Sequence, residues 1–195
     1  MTVSDFAGRG SLRAQLVRIG AFFYFAYAYL VILFGIAYNP MFLVYAALLS
    51  ASTAGLVLSL VAVDVDRLSS QFRLGFARRT IAWAVIAVSV TFALLWLSRI
   101  VPGILAGKAA PGLESYTTLS VQGADLSLVI PISTLTGIGL LRRRPIGYLL
   151  IAPVLIFMAT MGLGLVGVVV AMALMGTSVG IAGVAPAAVT GAHRR

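Results

Sequence analysis

Five long runs of apolar residues, separated by short charged segments, dominate this sequence. A hydrocarbon layer about 30 Å thick is crossed by roughly 20 apolar residues in a helix that rises about 1.5 Å per residue. The runs that reach this length cover approximately residues 20–37, 41–63, 81–101, 119–141 and 146–175. We therefore predict an all-α, polytopic transmembrane helical bundle with five spans, in which residues 1–195 form a single membrane domain.

The composition excludes a soluble globular protein. Of the 195 residues, 61% are hydrophobic and 10% are charged, whereas soluble domains carry about 25% charged residues. The net charge of +9 is large, but so apolar a chain has no basic surface of the kind that binds nucleic acid. We expect membrane lipids as partners, with a protein partner or a homo-oligomer as further possibilities.

Arginine residues are concentrated in the segments that share one side of an alternating five-span path. Ten of the Lys and Arg residues fall there, whereas the other side has only Arg99 and Lys108 before the C-terminal Arg194 and Arg195. Because positive residues in short loops stay in the cytoplasm, we expect a cytoplasmic N-terminus, an outer loop over 102–118 and a location in the cell inner (cytoplasmic) membrane. The ten topology determinants are Arg9, Arg13, Arg18, Arg67, Arg73, Arg78, Arg79, Arg142, Arg143 and Arg144.

The two ends of the chain leave the number of spans open. Residues 176–192 are apolar but rich in glycine, which lowers helix propensity, so six spans are an alternative to five. Near the start, Ala26-Tyr27-Ala28 has the small-x-small form of a signal-peptide cleavage site. We favour a retained first span because the apolar run continues to Ala37 without a polar break.

Side chains that carry out most enzyme chemistry are scarce. The chain has no cysteine, and His193 near the C-terminus is the one histidine. The sequence also lacks a glycine-rich phosphate loop, paired carboxylates on a helix and a Gly-x-Ser-x-Gly elbow. We therefore predict no catalytic residues, no metal site and no cofactor, and we predict that the protein is not an enzyme.

Asp125 is the ionisable residue that the pattern places within a span. A charge in hydrocarbon is costly, so such residues point to function. Three interpretations stay open: a helix-end carboxylate that the macrodipole and free N–H groups stabilise, a proton or cation site in a polar cavity, and an ion pair with Arg99.

The residues that follow Asp125 define a candidate polar face and a break in the fourth span. By helical spacing, one face carries Gln122, Asp125, Val129, Ile132 and Thr136, with Ser133 beside it. Pro131 has no N–H to donate to the carbonyl of Ser127. We therefore expect a bend and a freed acceptor about one turn below the carboxylate.

Small and aromatic side chains predict how the first two spans pack. Ala47, Ala51, Gly55 and Ser59 recur at four-residue steps and form a helix-packing face, with another helix of this chain as the favoured partner. Aromatic residues at both interfaces predict belts, and the outer belt would include Trp96. The deeper tyrosines, Tyr24, Tyr27 and Tyr29, need hydroxyl partners, for which we predict Ser50, Ser52 or Thr53.

Two segments, residues 114–131 (ESYTTLSVQGADLSLVIP) and 139–150 (GLLRRRPIGYLL), resemble a pattern in a group of uncharacterised bacterial multi-pass membrane proteins. Residues 39–45 (NPMFLVY) do so too. The resemblance covers roughly residues 20–170 and implies the membrane architecture but no established activity. It adds Tyr116 and Thr117 to Gln122, Asp125 and Pro131 as candidate residues of a polar membrane site. Members of the group tend to have a clear sixth helix, from which residues 176–192 depart.

The leading functional prediction is a non-enzymatic accessory or scaffold protein that acts through lipid or protein partners. Ion-coupled transporters need ionisable groups inside their spans, and the shortage of such groups here supports this prediction. The alternative is a small carrier or channel with a polar site around Gln122, Asp125 and the Pro131 bend. A membrane enzyme would need Glu114 and Asp125 to act together.

Overall fold

Five helices that are long and apolar enough to cross a membrane make up the regular structure in the described residues of the computed structural model, which are 12–65, 68, 77–109, 113 and 118–175. The helices are α1 (Leu12–Gly35), α2 (Phe42–Val61), α3 (Arg78–Leu105), α4 (Ser120–Leu141) and α5 (Pro145–Leu174). Each carries an apolar stretch of membrane-spanning length, so the predicted all-α class with five candidate spans is confirmed.

Several predictions fall on residues that the structure does not describe. The apolar tract at 176–192 lies outside the described residues, as do Tyr116, Thr117 and most of the central part of the 102–118 loop. The question of a sixth span therefore stays open. The orientation of the N-terminus and the extent of the membrane domain also stay predictions.

The third helix is longer than the sequence indicates. The predicted span ends at residue 101, before Pro102 and Gly103, whereas α3 continues through both to Leu105. Pro102 has no N–H to donate to the carbonyl of Ser98, so one helical hydrogen bond is lost, yet the chain keeps its helical conformation beyond this point. The carbonyl of Pro102 still accepts the N–H of Ala106, at 3.0 Å. Pro102 therefore does not end the helix, which continues four residues past the predicted end of the span.

The body of the molecule up to Met158 is built from two helix pairs and the first part of α5. α1 packs on α2, and α3 packs on α4. One apolar cluster joins α3, α4 and α5 through Ala82, Val85, Leu140, Ile151 and Val154. A second joins α1 and α5 to the residues after α2, through Ile19, Val63, Leu68 and Leu149. From Ala159 onward, the described chain is the rest of α5.

The first residues of α1, α3 and α5 and the last residues of α2 and α4 meet at one end of this body, which we call the basic end. The described arginines here are Arg13, Arg18, Arg78, Arg79, Arg142, Arg143 and Arg144. Arg78 donates through one guanidinium nitrogen to the carbonyl oxygens of Leu140 and Leu141, at 3.1 and 3.3 Å. A buried helix end needs such donors for its last carbonyls, so Arg78 fastens α3 to the end of α4.

Candidate functional site

Asp125 lies where three helices meet, and each oxygen of its carboxylate accepts one hydrogen bond. The Tyr27 hydroxyl on α1 donates to Oδ1 over 2.7 Å, and the Trp96 indole Nε1–H on α3 donates to Oδ2 over 2.9 Å. Tyr27 and Trp96 are buried, whereas Asp125 is half-buried. One side chain of α4 therefore connects α1 to α3.

A π-helical turn begins at Asp125 and ends at Val129, two residues before Pro131. The N–H of Ile130 bonds to the carbonyl of Asp125, five residues back instead of the usual four. Pro131 has no N–H and its ring crowds the preceding turn, which favours a widened turn at this point. The irregularity thus lies on the residues where the sequence predicts one, and it takes the form of a π-helical turn.

The carboxylate lies inside the fourth span, beyond the first turn of the helix. Asp125 follows Ser120 by five residues, which is roughly 7 Å along the axis. Ser120, the first residue of α4, lies so close to α1 that a Cβ on Gly35 would overlap the Ser120 Oγ atom. We call this the far end, opposite the basic end. The close approach at Gly35 holds α1 where Tyr27 can reach Asp125.

Aromatic rings surround the Tyr27 side of the site. The ring of Phe157 on α5 meets the Tyr27 ring edge-on, with 5.1 Å between centroids. Phe157 also contacts Phe23 and Tyr24, at 4.8 and 6.4 Å, and it is 3% exposed. Edge-on and tilted pairs at these distances are favourable, so the packing of Phe157 restricts the position of the Tyr27 ring.

One of the interactions that the sequence suggests for Asp125, the capping of N–H groups at a helix end, is not made. The carboxylate caps no N–H group at the start of α4, because it lies past the turn where free N–H groups are found. In the described part of the chain, the hydrogen-bond donors to this carboxylate are Tyr27 and Trp96. The other two interpretations, an ion pair with Arg99 and a proton or cation site, stay predictions.

Two predictions about aromatic residues were wrong. Tyr27 bonds to Asp125 and to none of the α2 hydroxyls. Ser52 donates instead to the carbonyl of Leu48 in its own helix, at 2.6 Å. Trp96 is not a lipid-facing belt residue, because it is 9% exposed and donates to a carboxylate. The predicted depth of each residue in the membrane could have indicated that Trp96 contacts Asp125, since both lie near the predicted outer ends of their spans.

The other members of the predicted polar face do not form one continuous surface. Gln122 is half-buried and Pro131 is exposed, whereas Ser133 and Thr136 are buried. The Thr136 hydroxyl donates to the carbonyl of Ile132, at 2.7 Å. The Ser133 Oγ has no hydrogen-bond partner in the described structure. Because the π-helical turn changes the helical register, regular spacing across it does not keep residues on one face.

The small-residue stripe on α2 is divided between two environments. A Cβ on Gly55 would lie 2.7 Å from the Phe22 ring of α1, and Ser59 is buried. Ala47 and Ala51 are exposed on the outer surface of the bundle. Half of the predicted packing face therefore contacts or lies near α1, and half does not contact it.

The predicted topology residues Arg142, Arg143 and Arg144 form the exposed turn between α4 and α5. The N–H of Arg143 bonds to the carbonyl of Leu140, and that of Arg144 bonds to the carbonyl of Gly139. Arg143 has φ of 55°, so the turn is a Schellman motif with arginine at the left-handed position.

No protein-family model matches this chain, and no curated protein and no solved structure is detectably similar to it.

Proposed function

We propose that this chain is a non-enzymatic integral membrane protein that acts as an accessory or scaffold through lipid or protein partners. We place it in the inner membrane of a bacterial cell, with its N-terminus in the cytoplasm. The distribution of arginine supports this orientation, because the three exposed residues Arg142–Arg144 share the basic end with four other described arginines. Anionic lipid headgroups are the expected counter-charge for this end.

The observation that carries the proposal is the use of Asp125 as a connection between helices. Both of its oxygens accept hydrogen bonds from neighbouring helices. Three buried hydroxyls bond within their own helices, those of Ser52, Ser89 and Thr136; the Ser89 hydroxyl donates to the carbonyl of Val85 at 2.8 Å. Polar groups that are used in this way hold a bundle together and leave little for reaction chemistry.

The outer surface of α2 provides a place for a partner helix. Ala47, Ala51 and Ala54 are exposed there, beside the hydroxyl-bearing residues Ser50 and Thr53. A shallow groove of about 590 Å³ runs along this surface; its lining includes Leu49, Ser50, Thr53 and Ala54. Small residues allow two helix backbones to approach closely in lipid, so this surface supports an accessory or scaffold role.

Native mass spectrometry from nanodiscs tests the proposal, because it reports copy number, retained lipids and other chains together. We expect a stably bound polypeptide, a second copy or a retained lipid. The double variant Ala47→Leu and Ala51→Leu should release a helical partner, whereas Ala87→Leu on the exposed surface of α3 should not. A bare monomer without lipid under these conditions would contradict the proposal.

A second candidate is a small carrier or channel with its polar site at Gln122, Asp125 and the Pro131 bend. Two observations favour it: Asp125 accepts its hydrogen bonds from the neutral groups of Tyr27 and Trp96, and a π-helical turn begins at the same residue. Such turns occur frequently at functional sites. Asp125→Asn should abolish solute or proton flux in liposomes. Equal flux in the wild type and this variant would remove Asp125 from any transport mechanism.

A further inference from the structure

The two hydrogen-bond donors of Asp125 differ in what they can do when the carboxylate changes its charge. A tyrosine hydroxyl both donates and accepts, whereas an indole N–H only donates. Oδ1 faces the Tyr27 hydroxyl and Oδ2 faces the Trp96 indole. The two oxygens of Asp125 are therefore not equivalent, and only the Tyr27 partner can adapt to a protonated acid.

The side chains around the carboxylate are closely packed. Tyr27 is 6% exposed, Trp96 is 9% exposed, and the Phe157 ring lies against the Tyr27 ring. A metal ion or an organic cation needs several ligand atoms and space between them. A proton needs neither, because it binds to one oxygen that is already in place. The geometry therefore selects the proton among the cations that could neutralise Asp125.

Neutral groups face Asp125 from the neighbouring helices. α1 brings the Tyr27 hydroxyl and α3 brings the Trp96 indole, while α5 brings the Phe157 ring against Tyr27. The nearest charged residue along α3 is Arg99, three positions after Trp96. An ionised carboxylate in hydrocarbon is costly, and protonation removes that cost.

We infer that Asp125 is a reversible proton-binding site in which Oδ1, the oxygen beside the Tyr27 hydroxyl, takes the proton. An O–H bond of a hydronium ion in the water at the far end breaks and leaves a water molecule, while a new O–H bond forms on Oδ1 and the carboxylate becomes a neutral acid. The acid then donates to the Tyr27 oxygen, whose own hydrogen turns away. Oδ2 remains an acceptor, so Trp96 keeps its hydrogen bond, but that bond loses its charged acceptor and weakens.

Trp96 is thus a built-in reporter of the charge on Asp125. The chain has two tryptophans, and Trp83 on α3 is exposed. In a Trp83→Phe protein, tryptophan fluorescence comes from Trp96 alone. A negative charge that is hydrogen-bonded to the indole changes its emission, so loss of that charge should give one sigmoidal transition with pH.

The experiment is a pH titration of Trp96 fluorescence in nanodiscs, with circular dichroism to show that the helices persist. We expect one transition in Trp83→Phe, its loss when Asp125→Asn is added, and its retention when Asp64→Asn is added. Asp64 is a suitable control because it is an exposed carboxylate at the basic end. Absence of a transition, or its persistence in the Asp125→Asn protein, would overturn the inference.

Infrared difference spectroscopy gives a second measurement that does not depend on the Asp125 variant. Protonation should produce the carbonyl band of a carboxylic acid over the same pH range as the fluorescence transition. Tyr27→Phe should shift that band, because the acid loses the oxygen to which it donates. No acid band in the wild type, or a band that Tyr27→Phe leaves unmoved, would contradict the proposed site.

The inference deepens the carrier candidate and rests on it for a role in transport, but proton binding is measured separately from flux. An Asp125-dependent pH transition without proton flux would support the site and remove the carrier. Proton flux that persists in Asp125→Asn, together with no transition, would overturn the site while leaving a carrier of another kind.

Discussion

At the basic end, α4 and α5 meet through their backbones, whereas towards the far end α1, α3 and α4 meet through the side chains of Asp125, Tyr27 and Trp96. A Cβ on Gly147 would overlap the backbone of Leu140. The Asp125 connection instead depends on two hydrogen bonds between side chains. Backbone contact tolerates almost no added volume, while a polar connection can change with protonation. The first region suits a fixed joint and the second suits a site that responds to its surroundings.

The largest expected effect comes from filling the joint between α4 and α5. Gly147→Ala should lower the free energy of unfolding by about 3 kcal/mol, because the new Cβ would overlap backbone atoms of Gly139 and Leu140 that cannot rotate away. Thermal unfolding in detergent measures the change. Gly123→Ala is the control, since its Cβ meets nothing within 4 Å, and replacing a helical glycine there should raise stability by about 0.5–1 kcal/mol. Equal effects at both positions would refute the backbone-joint interpretation.

Removing the Asp125 connection should have the next largest effect. Asp125→Ala should cost roughly 2 kcal/mol, because two interhelical hydrogen bonds at about 1 kcal/mol each are lost. A double-mutant cycle with Tyr27→Phe isolates one bond and should give a coupling of about 1 kcal/mol. Strictly additive effects of the two substitutions on unfolding would show that this hydrogen bond does not stabilise the bundle.

Arg78 should contribute less than Asp125, although its hydrogen bonds also cross between helices. Arg78→Gln should cost about 1.5 kcal/mol, because the last carbonyls of α4 at Leu140 and Leu141 lose a charged donor. Arg79 is exposed beside it, so Arg79→Gln should change stability by less than about 0.5 kcal/mol. Equal losses in the two variants would mean that charge at the basic end matters, and that the contact with the carbonyls does not.

The class of fold could be read from the sequence because hydrophobic runs of membrane length are a local signal. The number of helices in the described part and the irregularity beside Pro131 follow from the same kind of signal. Helix ends were less predictable, as the continuation of α3 through Pro102 shows. Pro102 removes one helical hydrogen bond, but the residues after it still form theirs, as the N–H of Ala106 does with the carbonyl of Pro102.

The partners of Asp125 could not be read from the sequence because they lie on other helices. Tyr27 lies 98 residues before Asp125, and Trp96 lies 29 residues before Asp125, so no helical spacing connects either donor to the carboxylate. The similar predicted depth of Asp125 and Trp96 in their spans indicated that they could meet, but Trp96 was assigned to an aromatic belt at the membrane interface instead. The prediction of Tyr27 bonding to α2 hydroxyls failed because Ser52 satisfies its hydrogen bond within its own helix.

The smallest effects on stability are expected at the C-termini of α3 and α4, which share one turn geometry. α3 ends in a Schellman motif with Gly107 at the left-handed position, φ 61°, and α4 ends in the same motif with Arg143, φ 55°. Because this conformation disfavours a residue with a Cβ, Arg143→Gly should stabilise the protein by up to about 1 kcal/mol, and Gly107→Ala should destabilise it by about the same amount. Thermal unfolding of both variants shows whether their changes in stability have opposite signs. Destabilisation by Arg143→Gly would show instead that the Arg143 side chain holds this turn, which would make the basic end depend on side chains as the Asp125 site does.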